Sequence, residues 1–400
     1  MASNQYADFV PPKLRPIDPS RLVTDTDEDI ASAVRTFQPV TSQRNLWAFW
    51  HSGFDGLPPW CKRNVIAWVR KLGPSWTVRV VGRSENLPND VYQYAGPENF
   101  PECFRENKFQ GKGAKQRTSD MIRLVLLYLH GGVYMDVSCI LCRSLDDICF
   151  RQIEDPSTPW EIAMMEMQSR DQPGQIINSF IACSRRNPFI KHWHDIFCNL
   201  WTDSTIQKGI HAHPLLRHLP LVQFPTEENW TAPFSAEDWT DYSSHMLCFE
   251  RLSLLSEPNG FDGADYFHNH ILLMSANREI FHMQEIGEDH LFDLLVLPFE
   301  PHSSDAQQQE ARKRIPAMLA ESSFIKFGEG YWMEGLPVPI ATRFREDEYS
   351  DCRPNTWVGW LRWASDRFEQ DLPDGWTTPR EEILLPAEKI VRVGVLEPVH

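Results

Sequence analysis

The chain has 400 residues, 42% of them hydrophobic, and its 55 acidic side chains against 39 Lys and Arg give a net charge of -16. That length and composition suffice for a large core in one elaborated domain or two packed lobes, and the negative charge opposes nucleic acid and anionic membranes as partners. The N-terminus lacks a basic-then-apolar leader, no apolar run approaches the ~18 residues of a membrane span, and nine cysteines in apolar contexts suit reduced, buried thiols, so the sequence predicts a soluble, cytoplasmic protein.

Residues 1–43 are polar and Pro-containing and read as an N-terminal arm. NLWAFW (45–50) reads as an aromatic strand, PPWCKRNVIAWVRKLG (58–73) has helical spacing with Pro at its entry and Gly at its exit, and WTVRVVG (76–82) alternates as a strand. A second unit follows this β-α-β opening: Ser119 is placed to cap a helix that Gly131 and Gly132 end, before the strand VYMDV (133–137). Strands alternating with helices predict an α/β fold with a mostly parallel sheet, whose ligands lie beyond the carboxyl ends of the strands. Asp136 falls at such an end. QIINSFIAC (175–183) reads as a strand and NPFIKHWHDIFCNLW (187–201) as an amphipathic helix. Residues from about 202 to 350 read as loop-rich and aromatic, NTWVGWLRWASDRF (355–368) as a tryptophan-rich helix, and 371–400 as a Pro-containing tail. The division expected is an arm, a core over 44–200, a region over 201–370 packed on that core, and the tail.

The charges in RTSDMIRLVLLYLHGGVYMDV carry the chemistry. The helix is apolar on nearly every side, so Arg123 needs a counter-charge or an acceptor, because an unpaired buried cation costs several kcal/mol. Two readings stand: an intrahelical pair with Asp120 at i-3, or both residues facing a nucleotide ribose or diphosphate at the helix N-terminus. Asp136, in an apolar setting at a strand end, suits a hard divalent cation that shares its shell with phosphates, and Ser138 faces the same way if the strand continues. The competing reading makes Asp136 a turn cap and Ser138 incidental.

Other patterns weigh less. Cys139 and Cys142 form a C-x-x-C with no second pair or suitable His set, so they read as packing residues. The pairs His192/His194, His211/His213 and His268/His270 lack a carboxylate to complete a metal site. No G-x-S-x-G, Walker-type or H-E-x-x-H pattern occurs, which removes several hydrolase and kinase readings.

Ser119, Asp120, Arg123, Leu127, Tyr128, Gly131, Gly132, Tyr134 and Asp136 form S-D-x-x-R-x-x-x-L-Y-x-x-G-G-x-Y-x-D. The pattern resembles glycosyltransferases with a DXD-containing sugar-binding region, and in particular the capsular polysaccharide synthesis protein family, where D-A-T replaces D-x-D; DVS (136–138) fits that variant. LWAFWHSGF (46–54) looks like the family's first strand, and IINSFIACSRRNPFIKHW (176–193) like its N-x-F-I-A segment and following helix. The likeness covers most of 45–370.

The resemblance implies a GT-A type Rossmann-like fold with a loop- and helix-rich acceptor region, and a hexosyltransferase that moves a sugar from a nucleoside diphosphate sugar to an acceptor hydroxyl. It implies retention, and a Mn²⁺ or Mg²⁺ cofactor on Asp136 and Ser138. Asp120, Arg123, Tyr134 and Asp136 match positions on the donor side, Asn178 a position near the transferred sugar, and Asp136, Arg123 and Asn178 are the expected catalytic groups. Trp47 and Trp50 are core residues or stack on the donor base, with core favoured for one of them. The acceptor is a small cytosolic metabolite or a glycan. The alternative is a non-catalytic nucleotide-sugar-binding protein, since Ser138 stands where a second aspartate would be.

Overall fold

The computed structural model describes every residue except 1–5, 85, 112, 170–171, 223–234, 259, 329–337, 383–388 and 400. The strands in chain order are β1 Leu14–Pro16, β2 Asn45–Phe49, β3 Thr77–Val81, β4 Gly132–Met135, β5 Cys139–Leu141, β6 Ile162–Ser169, β7 Gln172–Cys183, β8 Ile271–Ser275, β9 Phe324–Lys326 and β10 Phe368–Gln370. The helices are α1 Asp27–Arg35, α2 Pro59–Leu72, α3 Glu102–Arg105, α4 Ala114–His130, α5 Arg151–Glu154, α6 Pro188–Asn199, α7 Ala236–Tyr242, α8 Ser244–Ser253, α9 Gly263–His270, α10 Ala276–Glu279, α11 Glu288–Val296, α12 Ala306–Glu321, α13 Ile340–Arg343 and α14 Trp357–Ser365.

Six strands form a central sheet in the order β3-β2-β4-β7-β6-β8. β2 runs parallel to β3 and β4, and β6 parallel to β8, while β7 alone runs against both its neighbours. Side chains alternate across it as strand geometry requires. Leu46 and Ala48 join the core under α2, α12 and α14, whereas Trp47 and Phe49 join the core under α4, α6 and α8. The result is an α/β fold with helices on both faces of a mostly parallel sheet.

Two glycines set the site in place. Gly131 (φ +69°) ends α4, its N–H donating to Leu127 O at 2.8 Å, and Gly132 (φ +101°) starts β4 against β2. A Cβ at Gly132 would lie 2.3 Å from Asn45 O, so only glycine admits both the left-handed turn and the close approach.

The structure corrects four expectations. The arm is part of the core: Tyr6, Leu14, Ile17, Ile30 and Val34 are buried, β1 pairs with β10, and Thr26 and Asp29 form a capping box on α1. Widely spaced apolar residues among polar ones hid that packing. The tail also docks, with Val395 buried and Val391 bridging Leu255. The region read as loops holds α7 to α13, although 223–234 and 329–337 lie outside the described residues. Finally, α4 begins at Ala114, with Gly113 as its N-cap, so Ser119 is an interior residue and caps nothing.

Candidate active site

A cleft of about 520 Å³ opens at the carboxyl edge of the sheet. The end of β2 gives it Trp50, the first turns of α4 give Lys115, Arg117, Ser119, Asp120 and Arg123, and β4 gives Tyr134 and then Asp136; β7 adds Asn178 and β9 adds Lys326. This is where an open α/β sheet places ligands. β4 stops at Met135, and the chain turns, Cys139 N–H donating to Asp136 O at 3.1 Å. Ser138 therefore reaches the cleft through a turn and not by strand alternation, yet it lines the same space as Asp136.

Arg123 is the hub. Its guanidinium pairs with Asp120 Oδ1 at 3.0 Å, lies 3.9 Å from Asp136 Oδ1, donates to Ser119 Oγ at 3.0 Å and to the carbonyl of Asn178, and sits 4.5 Å from the centre of the Tyr134 ring. Both readings of the opening segment thus hold in part: the intrahelical pair forms, and it forms at the cleft wall. Ser119 Oγ also bonds the Tyr134 hydroxyl at 2.7 Å, the role its position in mid-helix gives it.

Asn178 spends both amide hydrogens, on Asp120 Oδ1 at 3.1 Å and on His245 Nδ1 at 3.1 Å. Its carbonyl oxygen is then the group it can offer a ligand. Burial, reinforced by Arg123, holds the His245 imidazole well below its ordinary range, so the ring is neutral and its Nδ1 accepts.

Burial pushes the Asp120 carboxyl up to about 6, against the pull of Arg123 and with the help of Asp136. Burial also opposes charge on Asp136, but Lys326 and Arg123 outweigh it and hold that carboxyl below its ordinary value. Lys326 Nζ lies 2.5 Å from Asp136 Oδ2. Burial opposes the ammonium in turn, and Asp136 more than compensates, so Lys326 stays charged. Among the described residues, five cationic side chains, Lys115, Arg117, Arg123, Lys326 and Arg345, line the cleft against two carboxylates, in a protein whose net charge is -16.

Trp47 does not reach this cleft. It is fully buried in the middle of β2, short of the strand end that opens to the cleft, donates from Nε1 to Gly131 O at 3.0 Å and packs on Tyr94 and His130, so its expected donor contact is corrected to a core role. Trp50 does line the cleft, its indole N–H held by Gly56 O at 2.8 Å. Cys139 and Cys142 are buried free thiols, each pushed up to about 12 by burial, which leaves them protonated and inert at neutral pH.

The residues around Asp136 do not fit a divalent cation held by the protein alone. Such an ion takes about six or more oxygen ligands. The turn offers one carboxylate and one hydroxyl, an ammonium already occupies Oδ2, and no group of three or more His, Cys, Asp or Glu side chains able to hold a metal occurs among the described residues.

Sequence reasoning missed Lys326, His245, Tyr242 and Arg345, and Lys326 is the instructive case. Lys326 arrives because β9 pairs antiparallel with β5, Cys139 opposite Lys326, across 187 residues of chain. Only its place as a lone charge in the apolar run SFIKF marked it.

The comparisons define the class. A family model described as capsular polysaccharide synthesis protein matches residues 21–218, which include α4, β4 and the Asp136 turn. The O-glycosyltransferase braB of Annulohypoxylon truncatum is 37% identical over 97% of this chain and 94% of its own. The glycosyltransferase afumC of Aspergillus fumigatus is 36% identical over 94% and 97%, and the O-glycosyltransferase PaGT of Phomopsis amygdali 31% identical over 96% and 95%. The protein is a glycosyltransferase. It belongs to the family of these fungal enzymes, whose N-terminal half carries the capsular polysaccharide synthesis signature.

Proposed function

We propose that the enzyme transfers a hexose from a nucleoside diphosphate sugar to the hydroxyl of a small-molecule acceptor. The observation that carries this reading is the cationic cleft at the carboxyl edge of the sheet of an acidic protein, an electrostatic trap for a diphosphate. Fungal relatives named as O-glycosyltransferases support an oxygen acceptor.

In the reaction the acceptor oxygen bonds to the anomeric carbon as the carbon–oxygen bond to the diphosphate breaks, with that electron pair leaving on the diphosphate. Cationic groups fixed in a partly dry cleft stabilise the charge that develops there. Arg123 orders the wall by tying Asp120, Asp136 and the Asn178 backbone together, while Asn178 presents its carbonyl oxygen to the sugar hydroxyls. Asp120 and Asp136 both carry cations, so neither is free to act as base. This favours retention, in which the acceptor proton passes to the departing phosphate oxygen. If a Mn²⁺ or Mg²⁺ ion bound here, Asp136 and Ser138 would be the residues to hold it, with Lys326 displaced from the carboxylate, and it would supply charge to the diphosphate; no step is assigned to it, because the protein residues present do not complete its shell.

The test is to incubate the protein with a panel of nucleotide-sugars and small phenolic and aliphatic alcohols and to follow nucleoside diphosphate release and product mass. A glycosylated product from one donor supports the reading; binding without hydrolysis or transfer would leave a nucleotide-sugar-binding protein. Among the described residues no helix is long and apolar enough to cross a membrane.

A further inference from the structure

We infer that Lys326 is the group that meets the donor's diphosphate, so that this enzyme engages its donor without a divalent cation. The inference rests on the nucleotide-sugar reading above and goes beyond it in assigning the phosphate contact to a residue far from the signature segment. Three observations converge. The ammonium lies 2.5 Å from Asp136 Oδ2, where the likeness to metal-using enzymes would place an ion. Its position is built in: β9 is zipped to β5 with Cys139 opposite Lys326, Phe327 N–H donates to Ser138 O at 3.3 Å, and Phe324 and Ile325 are fully buried. The Asp136–Ser138 turn and Lys326 therefore form one unit.

The third observation is donor capacity. An ammonium has three N–H donors, and among the described residues its side chain bonds Asp136 alone, so two donors remain for phosphate oxygens. Lys326 is also partly open, its side chain 18% exposed against 5% for Arg123, whose guanidinium is committed to protein partners. Asp136 is then a positioning residue that holds the ammonium at the cleft floor. A divalent ion on the same carboxylate would have to expel a charge fixed by a strand pairing, in a site that offers it one other protein oxygen.

The experiment is calorimetric titration of the full-length protein with UDP, GDP and ADP, in EDTA and again in Mn²⁺, for wild type, Lys326→Met and Lys326→Arg. At least one nucleoside diphosphate should bind wild type in EDTA, with Mn²⁺ changing Kd less than about threefold. Lys326→Met should weaken that binding at least about tenfold, and Lys326→Arg should recover most of it, since a guanidinium keeps the charge. Binding that is lost in EDTA, restored by Mn²⁺ and indifferent to Lys326→Met would overturn the inference while leaving the donor reading intact. Absence of binding to any nucleoside diphosphate under either condition would remove the donor reading and the inference with it. The two wild-type titrations decide the question even if Lys326→Met does not fold.

Discussion

Two clusters of buried charge make an informative pair. Arg143, just past the end of β5 and outside the cleft lining, bonds Glu279 Oε2 at 2.9 Å, Ser323 Oγ at 3.0 Å, Gln370 Oε1 at 2.7 Å and Glu321 O at 3.3 Å, and its guanidinium sits 4.2 Å from the Trp376 ring. One cation meets one buried anion, and neutral partners complete the shell. The cleft cluster is different: Asp120, Arg123, Asp136 and Lys326 share charges unevenly, Asp120 titrates near 6, and Lys326 keeps spare donors toward open space. Burial of charge is common to both. What separates the site from the structural knot is the unfinished shell, since Arg143 too lines a cavity, of about 590 Å³.

The largest expected break in that comparison is Asp136→Asn. It removes the charge that holds Lys326 and helps hold Arg123, and transfer should fall by roughly a thousandfold, the scale of a lost electrostatic group at a reacting centre. Its thermal midpoint should stay within a few degrees of wild type, and full activity would refute the assignment of Asp136 to the chemistry. Arg143→Met should behave in the opposite way. Glu279 then keeps only the half-exposed Arg278, 3.5 Å from Oε1, and loses its buried partner, at a cost of up to about 3–5 kcal/mol, readable as a lower urea midpoint, while kcat/KM of the folded fraction is unchanged. If Arg143→Met depressed activity and spared stability, the distinction between the two clusters would fail.

Much of the fold was legible because periodicity is local. β2, α2, β3, β7, α6 and α14 fall where aromatic alternation, Pro entry and Gly exit place them. The cleft was legible in half. Asp120, Arg123, Tyr134, Asp136, Ser138 and Asn178 do converge there, with Trp50. Trp47 was indistinguishable in sequence from Trp50, three residues on, because the pattern does not mark where the strand ends and the cleft begins: Trp47 is mid-strand and Trp50 one residue past β2. Lys326 and His245 come from β9 and α8 respectively, elements whose docking is set by long-range packing, and no local pattern encodes a pairing such as Cys139 with Lys326.

Glu166 extends the comparison to a third case, a buried carboxyl with no hydrogen-bonded shell among the described residues. It is 1% exposed within β6, neither carboxylate oxygen has a hydrogen-bond partner among the described residues, and burial, aided by Glu381, pushes its carboxyl up to about 7. Above that pH the folded state carries an uncompensated charge. Glu166→Met, close in volume and apolar, should therefore stabilise the protein at pH 8 by on the order of 2 kcal/mol, and the gain in thermal midpoint should shrink as the pH is lowered toward 4.5. A constant gain across that range would mean the carboxylate is not the cost.

Asp120 gives a pH signature in which stability and activity move in opposite directions. Its folded value of about 6 stands above the ordinary 3.8, so between these two values the native state holds a proton that the unfolded chain has lost. This group's contribution to stability therefore falls as pH rises through that window. Activity should rise over the same interval, about tenfold from pH 5 to pH 7, because the ionised carboxylate pairs with Arg123 and accepts from Asn178. Asp120→Asn should flatten that limb of the pH–rate profile; a limb of undiminished height would assign the titration to another group.

The smallest expected effect belongs to His51. It lines the cleft, and burial, with Lys115 and Arg83 nearby, holds its imidazole below the ordinary 6.5, so it is neutral at pH 7 and able in principle to accept a proton. In a retaining front-face reaction the departing phosphate takes the acceptor proton, and a histidine base is superfluous. His51→Asn should then change kcat less than about threefold, well below the 10²–10⁴ range of a true general base. A loss within that range, together with an inverted anomeric configuration in the product by NMR, would make His51 the base. It would also show that the cleft keeps an unprotonated ring beside its cations in order to receive a proton, a second unfinished shell alongside that of Lys326.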